Sequence, residues 1–480
     1  MFKVAIQGVN MISLIYQSVC RYPERIAYKT EGQSISYREL WSRAEHYAKL
    51  LKKQGQSPVI IYGQKEIWVV ISILACLLAD RTYVPIDLNT PRLRLGQILK
   101  QTAATLILTE QSIDGVGASI CKLEDLKQYE DAPTQLWKNE IAYIMFTSGT
   151  TGTPKGVPIS RTNLHNFIIW ISQLSPLSEY DGAKVLNQAS FSFDLSVADF
   201  YYALCNGHTL YAWINDGVAD YIRLFELFQQ EQIQVAVMTP TLADLCLLNS
   251  GWRTENYPAL SCIYFCGERL QKKTVQKLWQ AFPDLKIINA YGPTEATSAV
   301  SAVLIDPEML LAQEELPVGL QEHLATDVEI IDGEIILKGA SVFAGYLQAG
   351  YSRHYLENGQ NCFYTGDLGF WKNGRLYCRG RKDRQIKWKG YRIELDDIEC
   401  NIRQLEGVKE CAVISSASTG GVVKTVKAFV VLEAGYSVDQ IRRELSKRLP
   451  DYMLPKSLQP ILAMPLNQNG KINRKELAGL

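Results

Sequence analysis

The segment from Thr147 to Val157 concentrates groups that can bind an anion. Its eleven residues include five hydroxyl side chains, three glycines and one lysine, Lys155. Glycines let backbone N–H groups approach a bound phosphate, hydroxyls donate further hydrogen bonds, and the lysine adds a positive charge. Pro154 precedes the lysine and Gly156 follows it, so the segment does not fit the P-loop in which Ser or Thr follows the lysine. We interpret it as a different phosphate-binding loop, with an ordinary surface turn as the alternative.

A second set of chemically capable residues follows the apolar run 286–288. The sequence Asn289-Ala-Tyr-Gly-Pro-Thr-Glu-Ala-Thr places an aromatic ring, hydroxyls and a carboxylate after a predicted strand. Open α/β sheets bind ligands at the carboxyl ends of their strands. Tyr291 could stack on a base there, and Glu295 could hold Mg²⁺ through its oxygens. A Gly-Pro turn with a solvated glutamate is the alternative interpretation.

Two aspartates are further candidates for ligand binding. Asp194 lies in the largely apolar and aromatic segment 191–204, where a carboxylate needs a partner to offset its burial. The ammonium group of an amino acid would be such a partner, and a helix N-cap is the alternative role. Asp367 follows a strand-like run in Tyr-Thr-Gly-Asp. As a loop carboxylate it could accept hydrogen bonds from both ribose hydroxyls, and a simple β-turn is the alternative.

The C-terminal region contributes two short motifs. They are Gly-Tyr-Arg-Ile-Glu at 390–394 and Pro-Leu-Asn-Gln-Asn-Gly-Lys-Ile-Asn-Arg at 465–474. Lys471 follows a turn in the second motif and could project as an exposed finger. A solvated surface lysine is the alternative.

The elements that position these residues follow from the hydrophobic pattern. Short β-branched runs alternate with helical patterns through most of the chain, which predicts α/β architecture with largely parallel strands. Examples are predicted strands at 57–62, 83–86, 234–238 and 262–265, and predicted helices at 66–79, 241–249 and 270–281.

The pattern changes after about residue 325. The Asp332-Gly333 pair between the runs 327–331 and 334–337 predicts a hairpin. The last hundred residues predict a separate small α+β unit. Its predicted helices are 395–404 and 438–448, its strands 409–415 and 425–433, and its boundary falls in the charged stretch 380–384.

The composition of the chain argues against several classes of function. The chain has 480 residues with 47% hydrophobic content, and its fifty basic residues balance fifty acidic ones, so no global field favours nucleic acid. Eleven scattered cysteines without a CxxC pair fit a reducing cytoplasm, and five histidines without ligand spacing argue against a zinc site. The longest apolar run, 68–79, is too short to span a bilayer. The N-terminus lacks a signal-peptide pattern, so we expect a cytoplasmic protein without membrane insertion.

Taken together, these segments resemble the adenylate-forming superfamily, which includes acyl-CoA synthetases, luciferases and the adenylation domains of non-ribosomal peptide synthetases. The order and spacing of the motifs match over essentially the whole chain. The segments Asn187–Ser196 and Phe265–Leu270 are most similar to those of free-standing D-alanine–carrier protein ligases. The resemblance implies stacked mixed and parallel sheets with flanking helices and a β-barrel-like subdomain in a large domain, 1–381. It also implies a hinge at 382–384 and a small mobile domain, 385–480.

The resemblance also implies a reaction and its participants. The substrate carboxylate attacks ATP in the presence of Mg²⁺, and the resulting adenylate is then attacked by the phosphopantetheine thiol of a carrier protein, with rotation about Asp383 between the two steps. The chain is expected to act as a monomer.

Residue roles are implied at the matching positions. Lys471 would bridge the substrate carboxylate and α-phosphate, Thr294 would contact that phosphate, and Arg392 would lie nearby. Glu295 would bind Mg²⁺, and Asp194 would bind the α-ammonium group. The other implied nucleotide contacts are, for the β- and γ-phosphates, Thr147, Ser148, Gly149, Thr150, Thr151, Gly152 and Lys155; for adenine, Asn289, Ala290, Tyr291 and Gly292; and for ribose, Asp367 and Arg381.

The substrate pocket departs from the D-alanine ligases at one position. Its implied lining is Phe193, Asp194, Leu195, Ala198, Val237, Tyr264, Cys266, Ala290, Ser298 and Ala299. The D-alanine ligases usually carry methionine where this chain has Ala198, and the vacated apolar space favours a larger ligand. A proline-sized amino acid is therefore the interpretation from the pocket, and D-alanine is the interpretation from the nearest relatives.

Two other classes of function stay open at this stage. A fatty or aryl acyl-CoA synthetase would leave the charge of Asp194 unpaired against an apolar tail. A non-catalytic nucleotide-binding scaffold would be expected to lack Lys155, Glu295, Asp367 or Lys471, and all four are present.

Overall fold

The computed structural model describes residues 10–113, 117–128, 140–214, 219–348, 350, 353–388, 390–417, 423–466 and 472–480. It confirms the predicted α/β class, with a large N-terminal domain and a small C-terminal domain. Lys471 lies outside the described residues, so its predicted position has no structural description.

The helices of the N-terminal domain are α1 (Met11–Arg21), α2 (Tyr37–Leu51), α3 (Ile67–Leu78), α4 (Arg92–Thr102), α5 (Arg161–Ser172), α6 (Leu195–Cys205), α7 (Ala219–Gln230), α8 (Pro240–Cys246), α9 (Lys272–Ala281) and α10 (Pro307–Leu311). Its strands are β1 (Ile26–Thr30), β2 (Gln33–Ser36), β3 (Val59–Tyr62), β4 (Tyr83–Ile86), β5 (Leu106–Leu108), β6 (Ser119–Cys121), β7 (Ile141–Thr147), β8 (Lys155–Ser160), β9 (Lys184–Asn187), β10 (Thr209–Ala212), β11 (Val235–Met238), β12 (Cys262–Phe265), β13 (Lys286–Tyr291), β14 (Ser301–Leu304), β15 (Gly319–Leu320), β16 (Asp327–Ile331), β17 (Glu334–Lys338), β18 (His354–Glu357), β19 (Gln360–Lys372) and β20 (Arg375–Arg381).

Two sheets form the centre of this domain. An eight-stranded sheet has the order β14-β13-β12-β11-β9-β10-β1-β2, and a six-stranded sheet has the order β6-β5-β3-β4-β7-β8. Helices α3 and α5 pack on the six-stranded sheet, α6 packs on the eight-stranded sheet, and all three share one hydrophobic core. These helices therefore lie between the sheets, and this position explains why α3 is apolar on nearly every face.

The central strands of the eight-stranded sheet, β9 to β12, are buried on both faces. Along β11, Val235 and Val237 contribute to the core between the sheets, whereas Ala236 and Met238 contribute to a second core with α7, α8 and α9. Successive strand side chains point to opposite faces, so covering both faces requires a continuous apolar run. Among the described residues, no helix combines the length and apolar character needed to cross a membrane.

A third, antiparallel sheet completes the N-terminal domain at the place of the expected β-barrel-like subdomain. Its order is β15-β20-β19-β17-β16, with β18 paired to β19. The predicted hairpin is present, since β16 pairs antiparallel with β17 around Asp332-Gly333. Both turn residues have positive φ, +50° and +78°, as this type of hairpin turn requires.

The C-terminal domain is a small α+β unit. Its strands are β21 (Gln385–Trp388), β22 (Tyr391–Glu394), β23 (Val408–Ala417), β24 (Val423–Leu432) and β25 (Ser457–Pro460), and its helices are α11 (Leu395–Arg403), α12 (Val438–Ser446) and α13 (Arg474–Leu477). β21 and β22 form a hairpin, and the other three strands form a separate sheet. β20 ends at Arg381 and β21 begins at Gln385, so the predicted hinge 382–384 lies between elements of the two domains.

Two predicted helices end more than one residue earlier than expected. α8 ends at Cys246 rather than at 249, and α12 ends at Ser446 rather than at 448. Within three residues after each helix, backbone N–H groups bond to carbonyls three residues back, such as Asn249 N to Cys246 O and Lys447 N to Glu444 O. The last turn therefore tightens, and the regular α-helix stops before the hydrophobic pattern does.

Candidate active site

The predicted phosphate-binding loop connects two antiparallel strands. β7 and β8 flank it, with Thr147 directly opposite Lys155. A side chain at Gly149 would lie 2.0 Å from Thr153 O, and Gly152 has a φ of +80°. Both positions therefore require glycine, and the loop folds back tightly over the end of β7. Thr150 and Thr151 are exposed at its tip.

Residues of the C-terminal domain, two of them carboxylates, contact the groups of this loop that are predicted to bind an anion. Lys155 Nζ donates to Glu394 Oε1 at 3.2 Å, and both side chains are at most 10% exposed. Gly149 N donates to Asp397 Oδ2 at 3.1 Å. Ser148 Oγ donates to Arg392 O at 3.0 Å and accepts from Glu394 N at 2.8 Å. The C-terminal domain is therefore docked on the loop through the kind of contacts that an anion would make.

Burial and a neighbouring charge have opposite effects on the pKa of Asp397 in this contact. Burial raises the pKa of Asp397, and Arg94, whose Nη1 lies 3.6 Å from Oδ2, partly offsets the rise. Asn401 on α11 also donates to Gly152 O at 3.3 Å, and Cys400 Sγ lies 3.2 Å from Thr151 O. One face of α11 thus covers the phosphate-binding loop.

Glu295 is the buried carboxylate of the motif after β13. It is 1% exposed, accepts a hydrogen bond from Tyr346 OH at 2.5 Å, and pairs with the Arg392 guanidinium. Burial raises its pKa, but Arg392 and Tyr346 outweigh that effect and hold the pKa of Glu295 below its ordinary value. Glu295 is therefore an anion at neutral pH whose two oxygens already have partners.

Asp367 lies in a strand, which corrects the expected loop position. β19 runs without a break from Gln360 to Lys372, because Gly366 adopts a φ of +77° within it and lets the backbone bend. A side chain at this glycine would lie 2.1 Å from Arg353 Nη1. Asp367 is 4% exposed and accepts from Tyr291 OH at 2.7 Å and Arg381 Nη1 at 2.5 Å.

The predicted hinge residue joins the same network. Asp383 accepts from Arg381 Nε at 2.7 Å and from Arg353 Nη2 at 2.8 Å, and its carboxylate also accepts from Gln385 N at 3.2 Å. Burial raises its pKa, but Arg381 and Arg353 outweigh burial and lower the pKa of Asp383 to about 2. Ionised Asp383 therefore connects the end of β20 to the start of β21.

The remaining predicted adenine contacts lie on β13 and just after it. Asn289 Nδ2 donates to Pro317 O at 2.7 Å. Ala290 is buried in the core. A side chain at Gly292 would lie 2.5 Å from Ala299 Cα, so glycine allows the segment after β13 to return close to the strand. Contact of these residues with adenine stays a prediction.

Asp194 faces a small cavity at the start of α6. Asp194 occupies the N-cap position of α6, but its side chain makes no capping hydrogen bond. The alternative interpretation, a carboxylate that caps the helix, is therefore not supported. Thr294 lines the same cavity, and none of the described lysines and arginines forms an ion pair with Asp194. Burial raises the pKa of Asp194, partly offset by Thr294, Lys387 and Arg392.

The predicted substrate-binding residues fall into two groups. Phe193, Asp194, Leu195, Cys266 and Ser298 line a cavity of about 20 Å³, together with residues predicted to bind nucleotide, Gly292, Thr294, Asp367, Arg381 and Arg392. The second group comprises Ala198, Val237, Tyr264, Ala290 and Ala299. These five side chains are at most 4% exposed and belong to the hydrophobic core, and they line neither this cavity nor the larger one beside it.

A larger cavity adjoins this site on the other side of the β21–β22 turn. Its volume is about 640 Å³, and Gly390 and Phe193 line both it and the small cavity. Tyr391 lines the large cavity and stacks on Tyr452, with ring centroids 3.9 Å apart. The turn of the C-terminal hairpin therefore forms part of the wall between a wide opening and the predicted substrate site.

Sequence reasoning missed several residues that complete the site. Lys387 on β21 lies opposite Arg392 in register and lines the small cavity. Glu394 and Asp397 reach the phosphate-binding loop, and Tyr346 reaches Glu295. The alternating charges on either side of Gly390 were a signal for Lys387. The others depend on contacts between distant segments, for which a single sequence carries no local signal.

The chain matches two sequence-family profiles. The profile described as AMP-binding enzyme covers residues 15–347, and that described as AMP-binding enzyme C-terminal domain covers residues 397–471. Among curated proteins, the D-alanine--D-alanyl carrier protein ligase of Bacillus licheniformis is 35% identical over 499 residues, covering 98% of this chain and 99% of the relative. The ligase of the same name from Listeria welshimeri is 37% identical over 491 residues, covering 95% and 96%.

Solved structures share the fold at lower identity. The Vibrio cholerae adenylation domain AlmE, in complex with glycyl-adenosine-5'-phosphate, aligns with a TM-score of 0.82 and 24% identity over 100% of both chains. Holo-PA1221, a non-ribosomal peptide synthetase protein containing adenylation and PCP domains, aligns with a TM-score of 0.82 and 24% identity, covering 98% of this chain and 84% of the other.

Proposed function

The chain belongs to the AMP-binding enzyme family, and from that premise we propose that it is a ligase that activates a small amino acid with ATP and transfers it to a carrier-protein thiol. The observation that carries the proposal is the Asp194 carboxylate, which lacks an ion-pair partner among the described residues and lines a cavity shared with Asp367 and Arg392. An ammonium group at Asp194 would bring an amino-acid carboxylate close to the predicted nucleotide site.

In the first step, an oxygen of the substrate carboxylate attacks the α-phosphorus of ATP. A mixed anhydride forms, the bond to the β-phosphate breaks, and pyrophosphate leaves. The negative charge that develops on the phosphate oxygens requires fixed donors and cations. Thr294 and Lys471 would act at the α-phosphate, and the 147–155 loop with Lys155 would hold the leaving pyrophosphate.

Mg²⁺ fits the chemistry of Glu295. Magnesium in nucleotide enzymes is commonly held by one or two carboxylates together with substrate phosphates, and Glu295 is a buried, ionised carboxylate beside the phosphate-binding loop. The ion would neutralise charge on the phosphates. Glu295 now pairs with Arg392, so we propose that this arginine withdraws when the site holds Mg²⁺ and ATP.

In the second step, the thiolate sulfur attacks the carbonyl carbon of the mixed anhydride. The thiol has first released its proton to solvent; a C–S bond then forms, the C–O bond of the anhydride breaks, and AMP leaves. The cavity of about 640 Å³ supports this step, because a flexible pantetheine arm needs a wide channel that ends beside the substrate. The large cavity shares Gly390 and Phe193 with the lining of the Asp194 cavity, so we propose that the arm enters through it.

The docked C-terminal domain supports two working arrangements. Glu394 and Asp397 contact the groups that would hold pyrophosphate, so both cannot occupy the loop together. We propose that ATP is used with the C-terminal domain rotated about Asp383 to present Lys471, and that the present contacts belong to the thiol-transfer arrangement. Rotation of this kind lets one site serve two steps.

The substrate is proposed to be an amino acid between alanine and proline in size. The alanine at position 198, where the D-alanine ligases usually carry methionine, favours a proline-sized ligand, whereas in the structure Ala198, Ala290 and Ala299 lie in the hydrophobic core and do not line the Asp194 cavity. The curated ligases that match the chain favour D-alanine, as does the small volume of the Asp194 cavity, about 20 Å³. Neither substrate has the stronger support.

Pyrophosphate exchange with a panel of amino acids tests both the proposed activation step and the proposed size of the substrate. We expect exchange that requires ATP, Mg²⁺ and one small amino acid, with kcat/KM compared for L-proline, D-alanine and L-alanine. Folded protein that binds ATP but supports no exchange with any amino acid would contradict the activation step. Preference for D-alanine by about tenfold, or about 1.4 kcal/mol, would exclude the proline-sized alternative.

A further inference from the structure

Glu268 joins the N-terminal domain to the turn of the C-terminal hairpin. It follows β12, and its Oε1 accepts a hydrogen bond from Gly390 N at 2.6 Å. Its other oxygen, Oε2, accepts from Thr241 N at 3.0 Å. One carboxylate therefore binds two backbone N–H groups, one on each side of the domain interface.

The hydrogen bond between Glu268 and Thr241 lies entirely within the N-terminal domain. Pro240, the first residue of α8, has no N–H, and Thr239 Oγ1 accepts from Leu242 N at 3.3 Å. The N–H group of Thr241, which lies between Pro240 and Leu242, donates to Glu268. The first turn of α8 thus fixes the carboxylate in place, with its second oxygen directed at Gly390.

The hairpin turn fits this site closely. Gly390 has a φ of +85°, and a side chain there would lie 2.7 Å from Thr239 Cγ2. Gly267 has a φ of +90°, and a side chain there would lie 3.7 Å from Gly390 O. The two glycines allow the turn to rest directly on Thr239 and Glu268, which sets the position of the wall between the large cavity and the Asp194 cavity.

We propose that Glu268 is a positioning residue for thiol transfer. It holds the Gly390 turn where the large cavity meets the substrate site, and it does nothing for adenylate formation, when the turn has moved away. The inference rests on the proposed two-step function. A hydrogen bond from an N–H to a carboxylate is stronger than one to a neutral acceptor, so this single contact can bias the docked arrangement.

Half-reaction kinetics of Glu268→Ala and Glu268→Gln test the role. Glu268→Ala loses both contacts, and we expect aminoacyl transfer from preformed adenylate to a pantetheine thiol to slow by about 10- to 100-fold, the range for loss of a hydrogen bond to a charged group. Pyrophosphate exchange should be unchanged. Gln offers one acceptor oxygen for two N–H donors, so Glu268→Gln should lie between wild type and Glu268→Ala.

Glu315→Gln is the matched control. Glu315 pairs with the neighbouring Arg269 at 3.0 Å and is 48% exposed, so its loss should change neither half-reaction. Equal losses of exchange and transfer in Glu268→Ala would show that Glu268 only caps α8 and would overturn the proposal. Unchanged transfer would overturn it as well.

Cysteine alkylation gives a readout that does not require turnover. Cys400 packs against the phosphate-binding loop in the docked arrangement, whereas Cys20 is exposed on α1. We expect iodoacetamide to modify Cys400 faster in Glu268→Ala than in wild type, relative to Cys20, as measured by mass spectrometry. An unchanged ratio would refute the positioning role, whereas absence of exchange in the wild type would refute the proposed function and leave this comparison intact.

Discussion

Replacement of Asp194 by asparagine tests the recognition of the substrate ammonium group. The asparagine side chain keeps the shape of the aspartate and its place beside Thr294 in the cavity wall. It loses only the negative charge. The ammonium group would then lie near the cationic side chains of Lys387 and Arg392 with no anion between them.

The size of the effect follows from the surroundings of Asp194. Truncating one partner of a buried charge pair costs about 2–5 kcal/mol. Asp194 is only half-buried, so we expect the lower part of that range. At about 1.4 kcal/mol for each factor of ten, 2–3 kcal/mol corresponds to a fall of about 30- to 150-fold in kcat/KM for the amino acid.

The pH dependence provides a second measure. Burial raises the pKa of Asp194 in the free protein, so the carboxylate begins to lose its charge at a higher pH than an ordinary aspartate. A protonated carboxyl does not attract ammonium, and kcat/KM for the amino acid should therefore fall as the pH is lowered through this pKa. Asp194→Asn should not show this fall.

The melting temperature of Asp194→Asn distinguishes substrate binding by Asp194 from a role in stabilising the fold. A carboxyl whose pKa is raised in the folded protein opposes folding when ionised at neutral pH, because folding favours its protonated form. Asp194→Asn should therefore melt at the same temperature as wild type or higher. Amino-acid-dependent exchange at several pH values, with the KM for ATP as control, is the assay. An unchanged amino-acid KM would refute the assignment.

Three further predictions address other parts of the site. Lys471→Ala should lower adenylation by at least about 10²-fold, the scale for one transition-state contact, while transfer from preformed adenylate is retained; equal losses would contradict domain rotation. Glu394→Gln removes the ion pair with Lys155 and should slow transfer by about tenfold or more without slowing exchange, and the reverse pattern would contradict the docked arrangement. Ala198→Met should penalise L-proline by about 1–3 kcal/mol through overpacking relative to alanine, as measured by the ratio of kcat/KM values; an unchanged ratio would place Ala198 away from the substrate.

The sequence by itself was sufficient for the class of fold and for the local motifs. The apolar run of α3, the alternation of strands with helices and the Asp332-Gly333 turn are local patterns, because helix and strand periodicity and turn chemistry act over a few residues. The hydroxyl- and glycine-rich loop at 147–155 was identified in the same way, since its composition and the preceding apolar strand lie within one short segment.

The tertiary structure alone decided which groups meet. Asp367 was expected in a loop, but pairing of β19 with its neighbours and the bend at Gly366 place it inside a strand. Glu394 and Asp397 meet the phosphate-binding loop from residues more than two hundred positions away, and Glu268 meets Gly390 across the same interface. Such contacts depend on how two separately folded domains dock. Hydrophobic periodicity carries no information about that docking, because it reports only which face of each element is buried.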